Sequence, residues 1–157
     1  MVSGPEKVFL YPGQLLAAKK ETLISTLLGS CVAVALYDPI TKIGGLNHYL
    51  LPEVLHSEQA SGRYGNFAIP KLVHELERLG ASRARLKAKV YGGANVLTEN
   101  TFGESIGSSN IILAYQLLSE MNIPIIEENV GGTIGRKIHM NTATFAIDHR
   151  LNEKVAS

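Results

Sequence analysis

Cys31 is the only cysteine of the chain, and it follows Gly29-Ser30. A free cysteine taken alone is most often a small buried hydrophobe. A glycine turn leading into a strand changes that setting, because it leaves backbone N–H groups, here those of Ser30 and Cys31, able to hold an oxyanion. A thiol also needs a base, and imidazole supplies one. Among the five histidines, His48 is the one whose position can be argued. Asp38-Pro39 marks a turn, since Asp favours its first position and Pro its second. Apolar runs flank it at 31–37 and 43–51. A two-residue loop at Pro39-Ile40 would pair Asp38 with Thr41, so that paired numbers sum to 79, as 31 and 48 do. The two side chains would then stand directly opposite, with Cβ atoms about 4.5–5.5 Å apart. A four-residue loop raises the sum to 81 and keeps both on one face, a diagonal step apart. A three-residue loop would separate them, because side chains alternate with period two. That loop usually needs a left-handed residue, often glycine, and positions 39–42 hold none.

A Cys–His pair commonly takes a third group that orients the imidazole. Ser25 and Thr26, on the preceding strand, are the hydroxyl candidates. As strand neighbours they face opposite ways, so one of them can reach His48. Asn47 should point away from the pair, whereas Ala33, Ala35 and Gly44 share its face and leave room. Other signals are weaker. Gly131-Gly132-Thr133-Ile134-Gly135-Arg136 resembles a phosphate loop superficially but lacks the Gly-Lys-Ser/Thr ending. His56, His74, His139 and His149 have no metal-ligand spacing, so neither a metal nor another cofactor is expected. Glu127 and Glu128 should point to opposite faces of one strand.

The elements that must carry these residues follow from apolar pattern and turn chemistry. Residues 1–14 read as a loose lead-in broken by Pro5, Pro12 and Gly13. Strands are expected at 23–28, 31–37, 43–51, 86–91 and 123–129, with a last strand or hairpin at 136–147. Residues 52–65 read as a mobile loop and 94–106 as irregular. Asn66 is placed to cap a helix whose apolar face is Ile69, Leu72, Val73, Leu76 and Leu79, ended by Gly80. A second helix is expected from about Ser109 to Met121, with Ile112, Tyr115, Leu118 and Met121 facing inward. The fold class is α/β of the α+β type: a single-domain sandwich, 1–157, of two helices on a largely antiparallel sheet.

Composition sets the outer bounds. A chain of 157 residues fits one domain, which buries roughly 70% of its unfolded surface without a disulfide or metal staple. The net charge of +1, from 15 basic and 14 acidic residues, argues against nucleic acid or an anionic membrane as the main partner. A lone thiol, no apolar leader and no apolar stretch near the roughly 20 residues of a membrane helix imply a soluble, cytoplasmic protein.

At these residues the sequence resembles the CheD family, the chemoreceptor glutamine deamidases, over roughly 10–147. Leu28-Gly29-Ser30-Cys31-Val32-Ala33-Val34 resembles the family's nucleophile segment, and Asn47-His48-Tyr49-Leu50-Leu51-Pro52 its histidine segment. Tyr91-Gly92-Gly93-Ala94, Ile106-Gly107-Ser108-Ser109-Asn110 and Gly131-Gly132-Thr133-Ile134-Gly135-Arg136 follow in the family's order. The resemblance implies deamidation of receptor glutamines, in some members hydrolysis of receptor glutamate methyl esters, and the phosphatase CheC as a protein partner. It implies Cys31 as nucleophile and His48 as general base. The family's orienting threonine stands six positions before the cysteine, which favours Ser25 over Thr26. The family pattern also has an aromatic where Met140 stands and a glycine where Phe145 stands. Two other readings fit the same residues: a regulatory binding module with an inert cysteine, or a thiol peptidase or amidase for another substrate.

Overall fold

The computed structural model describes residues 4–54, 59–95 and 105–154. They form three layers. One sheet has four strands in the order β1 (Glu6–Phe9), β3 (Thr22–Leu28), β8 (Gly135–Asn141) and β9 (Ile147–Asn152). The other has five, in the order β2 (Leu15–Ala18), β5 (Ile43–Asn47), β4 (Val32–Asp38), β6 (Lys87–Gly92) and β7 (Ile125–Val130). Helices α1 (Gly65–Leu79) and α2 (Ile106–Glu120) pack on the outer face of the five-stranded sheet. The pairings β1–β3 and β6–β7 are parallel and the other described pairings antiparallel. The expected sandwich is thus present, built on two sheets where one was expected.

Strand β4 explains why its sequence is apolar throughout. It is the central strand of its sheet and all seven residues are buried. Val32, Val34 and Leu36 meet the helices, while Ala33, Ala35 and Tyr37 meet the other sheet. A strand covered on both faces reads as a continuous hydrophobic run. Strand β3 is covered on one face only: Thr22, Ile24, Thr26 and Leu28 are buried, and the residues between them are half-buried.

The β4–β5 hairpin has the four-residue loop 39–42. Asp38 pairs with Ile43, and the same register continues to the Val32–Tyr49 bridge. The directly opposed register is therefore corrected to the diagonal one. The loop closes because Lys42 takes the left-handed conformation, φ 59°, a role glycine more often fills. Its N–H donates to the Asp38 carbonyl at 2.8 Å.

Three further expectations change. Residues 1–14 contain β1, which lies parallel to β3; the lead-in is built structure. Helix α1 starts at Gly65 with Tyr64 as its N-cap, and the Asn66 side chain instead accepts the Val54 N–H. Helix α2 starts three residues early and is turned about its axis. It buries Gly107, Asn110, Leu113, Ala114 and Leu118, whereas Ile112 is exposed. The cap explains the earlier start: Ser105 Oγ accepts the Ser108 N–H at 3.1 Å, satisfying a donor that the helix leaves free.

Candidate active site

His48 follows the last residue of β5 on its even-numbered face, which looks into the space between the two sheets. Its ring meets the four-stranded sheet there: Nδ1 lies 2.7 Å from Thr26 Oγ1. The alternation of β3 decides this contact. Thr26 is an inward residue with no exposed surface. Ser25 points outward and lines a cavity of about 540 Å³ on the far face with His139 and Asp148. The preference for Ser25 is therefore corrected to Thr26.

The hydroxyl has a single proton, and its other partner fixes where that proton goes. Thr26 Oγ1 lies 2.6 Å from the Leu10 carbonyl, which can only accept. Thr26 must donate to Leu10 and accept from His48. The imidazole then carries its hydrogen on Nδ1 and presents a lone pair at Nε2. That Nε2 is buried and has no hydrogen-bond partner among the described residues. The segment before β2 also holds the histidine backbone. The His48 N–H donates to the Gln14 carbonyl at 3.2 Å, and the Gly13 N–H donates to the His48 carbonyl at 2.8 Å.

Cys31 precedes β4 on the same face, among Leu10, Leu28, Ala33, Leu46 and Tyr91. It retains 4% exposure and His48 1%, so the expected opening of the pair to solvent is not met by the described residues. Burial pushes the thiol up to about 11, its own backbone N–H opposing the shift. Burial also lowers the imidazole to about 4. Low dielectric disfavours the charged form of each group, so the resting pair is neutral thiol and neutral imidazole.

Two features fix the turn that presents Cys31; both lie inside segments that carry the family resemblance, but no role for either is legible there. Asn110 on α2 has no exposed surface. Its Nδ2 donates to the Ser30 carbonyl at 3.0 Å and the Leu50 carbonyl at 2.9 Å, tying the cysteine turn to the end of the histidine segment. Gly92 stands at φ 106°, and a Cβ there would lie 2.3 Å from the Cys31 carbonyl oxygen; only glycine lets the two backbones approach so closely. Gly93 and Ala94 then donate their N–H groups to the Cys31 and Gly29 carbonyls, each at 2.8 Å. The N–H groups of Ser30 and Cys31 donate to no other residue among those described. Asn47 points to the helix side as expected, accepting the Val34 N–H at 2.8 Å.

A thiol, an imidazole with one nitrogen tethered and the other unengaged, and backbone donors beside the thiol are the parts an acyl transfer from an amide or ester requires. Among the described residues no cluster of three or more metal-type ligands occurs, and no helix is long and apolar enough to cross a membrane.

Comparison with known proteins is consistent with this class. The family model described as CheD chemotactic sensory transduction matches residues 50–150. A probable chemoreceptor glutamine deamidase CheD 1 from Anaeromyxobacter dehalogenans is 47% identical over 135 residues, covering 86% of this chain and 78% of its own. Probable chemoreceptor glutamine deamidases CheD from Sulfurimonas denitrificans and Trichlorobacter lovleyi are 44% and 42% identical. They cover 87% and 88% of this chain, and 88% and 86% of their own. The chain belongs to the CheD family.

Proposed function

We propose that this protein deamidates glutamine side chains of chemoreceptors, with Cys31 as nucleophile, His48 as base and acid, and Thr26 as the residue that orients His48. The names of the relatives supply the substrate class. The observation that carries the mechanism is the Leu10–Thr26–His48 chain, which leaves His48 Nε2 as a buried, unengaged acceptor. A nitrogen kept in that condition costs stability, and catalysis gives it a use.

The residue types then dictate the steps. The Cys31 proton passes to Nε2 as Sγ attacks the amide carbon. The resting pair is neutral, so this transfer accompanies attack. The N–H groups of Ser30 and Cys31 receive the oxyanion. The imidazolium returns its proton to the departing ammonia, leaving a thioester, and His48 then takes a proton from the water that releases glutamate. Hydrolysis of a glutamate methyl ester follows the same path with methanol as leaving group. The substrate is the cytoplasmic helical part of the receptor, reached by a cytoplasmic protein, and CheC is a further protein partner.

The burial of Cys31 favours one other reading, a regulatory module with an inert thiol. Incubating a receptor cytoplasmic fragment with the protein separates the two. Deamidation adds about one dalton per glutamine as NH₂ is replaced by OH, and Cys31→Ala should abolish the gain while the protein stays folded. An unchanged gain with Cys31→Ala would end the thiol mechanism. A cleaved fragment would point to a peptidase.

A further inference from the structure

The segment Gly131–Arg136 takes no part in the chemistry above, yet it holds a cation in an unusual state. Arg136, in β8, is 3% exposed. Its Nη1 donates to the Asn129 carbonyl at 2.5 Å and to Asn129 Oδ1 at 2.6 Å, and its Nη2 donates to the Gly131 carbonyl. All three acceptors are neutral. Its Nε is buried and has no hydrogen-bond partner among the described residues. Among the described residues no carboxylate comes within ion-pair distance of it. A buried charge ordinarily has a counter-charge, because desolvating it alone is expensive. Burial lowers the Arg136 pKa for the same reason.

The surroundings offer a place for the missing anion. A cavity of about 330 Å³ adjoins the guanidinium, lined also by Asn129, Gly131, Gly132, Thr133 and Leu151. Gly131 and Gly132 are left-handed, at φ 81° and 76°, and nothing lies within 4 Å of where a Cβ would stand. Among the described residues no close packing accounts for the lack of side chains; the left-handed backbone does, and it leaves the N–H groups of Gly132 and Thr133 without a backbone acceptor there.

This loop is tied to the candidate active site. The Gly131 N–H donates to the Gly92 carbonyl at 2.9 Å, and the Asn95 N–H to the Gly132 carbonyl at 2.7 Å. Gly93, between them in sequence, donates to the Cys31 carbonyl. From the other sheet, Arg136 pairs with Leu28, three residues before the thiol.

We propose that Arg136 and the N–H groups of Gly132 and Thr133 form a carboxylate-binding subsite that seats an acidic side chain of the protein substrate beside the glutamine being deamidated. One guanidinium among otherwise uncharged lining residues balances one negative charge. A phosphate dianion would call for a second cation, which the lining does not supply. Three of the five guanidinium hydrogens are taken by Asn129 and Gly131; the two left, on Nε and Nη2, lie side by side as a planar carboxylate requires. The identity of the substrate rests on the deamidase reading; the anion site rests on Arg136 itself.

Two measurements test it. The ¹⁵N-labelled full chain is titrated with sodium acetate at constant ionic strength, with inorganic phosphate as a parallel probe. Acetate should produce saturable amide shifts at Gly131, Gly132 and Thr133. Non-saturating shifts, or saturation confined to Ser30 and Cys31, would overturn the proposal, and tighter binding of phosphate than acetate would overturn its carboxylate assignment. In the second, Arg136→Gln should raise KM for a receptor fragment about tenfold or more with kcat held within about twofold, as loss of uniform binding requires. Arg136→Lys should recover only part of this. A fall in kcat at constant KM would assign Arg136 to loop structure instead and overturn the proposal. If Arg136→Gln fails to fold, the titration of the unaltered protein still decides. Acetate binding at the loop without any deamidation would sink the deamidase reading and leave the anion site standing.

Discussion

Thr26 has one proton to give and two neighbours within 2.7 Å, and that shortage assigns the His48 tautomer. Removing the hydroxyl frees the ring to place its hydrogen on either nitrogen. Thr26→Ala should therefore lower kcat about tenfold or more, within the range general acid–base contributions span, while Ser25→Ala stays near normal. Steady-state deamidation assays of both variants check this, and a loss confined to Ser25→Ala would contradict the contact described. The shifts of the pair make a second expectation. With the thiol up at about 11 and the imidazole down at about 4, no thiolate–imidazolium pair forms at rest. Alkylation of Cys31 should be slow at pH 7 and rise steadily through pH 9–10. A plateau reached near pH 6, read from iodoacetamide labelling rates, would mean a preformed ion pair.

At the scale of elements, α2 is fastened to the site by one side chain. Asn110 reaches two carbonyls on different segments, and the Tyr49 hydroxyl donates back to the Asn110 carbonyl at 2.6 Å. Asn110→Ala leaves both carbonyls without this donor, which should cost roughly 2 kcal/mol at about 1 kcal/mol per hydrogen bond. It should also lower kcat more than it raises KM, because the Ser30–Cys31 turn loses its tie to the end of the histidine segment. Denaturant unfolding together with kinetics on one sample separates the two effects. The pattern alone did not reveal this residue, since a lone Asn in a helix reads as surface until the helix is rotated to its true face.

Across the whole molecule, two buried groups set the acid limit. The Arg85 guanidinium beside Asp38, helped by the N–H groups of Ser82, Ile40 and Thr41, holds the Asp38 carboxyl well below the carboxylate range against the opposing effect of burial. These bonds join the β4–β5 loop to the segment before β6. A carboxyl more acidic when folded adds stability that is full above its unfolded pKa near 4 and lost as pH falls below it. Because Arg85 remains 40% exposed, Asp38→Ala should cost about 2 kcal/mol, less than the loss of a partner from a fully buried pair. His48 acts at higher pH with the same sign: its folded pKa of about 4 lies below the unfolded value near 6.5, so protons favour the unfolded chain between the two. Stability should fall between pH 6.5 and 4, by up to roughly 3 kcal/mol from His48 alone. The slope above pH 5 should flatten in His48→Gln. Urea unfolding at a series of pH values checks both.

The sequence by itself determined that Cys31 and His48 share one face of one hairpin, because strand alternation admits few registers and each allowed loop length kept the two together. It determined the sandwich class, both helices and the buried nature of β4, whose apolar run has no polar face to turn outward. It could not choose between Ser25 and Thr26, since Leu23 and Leu27 on one face of β3 are as apolar as Ile24 and Leu28 on the other. That choice awaited the second sheet, which covers only one of the faces. The same holds for Leu10 and Asn110: each acts through partners distant in sequence, and no local periodicity records which residues two packed layers bring together.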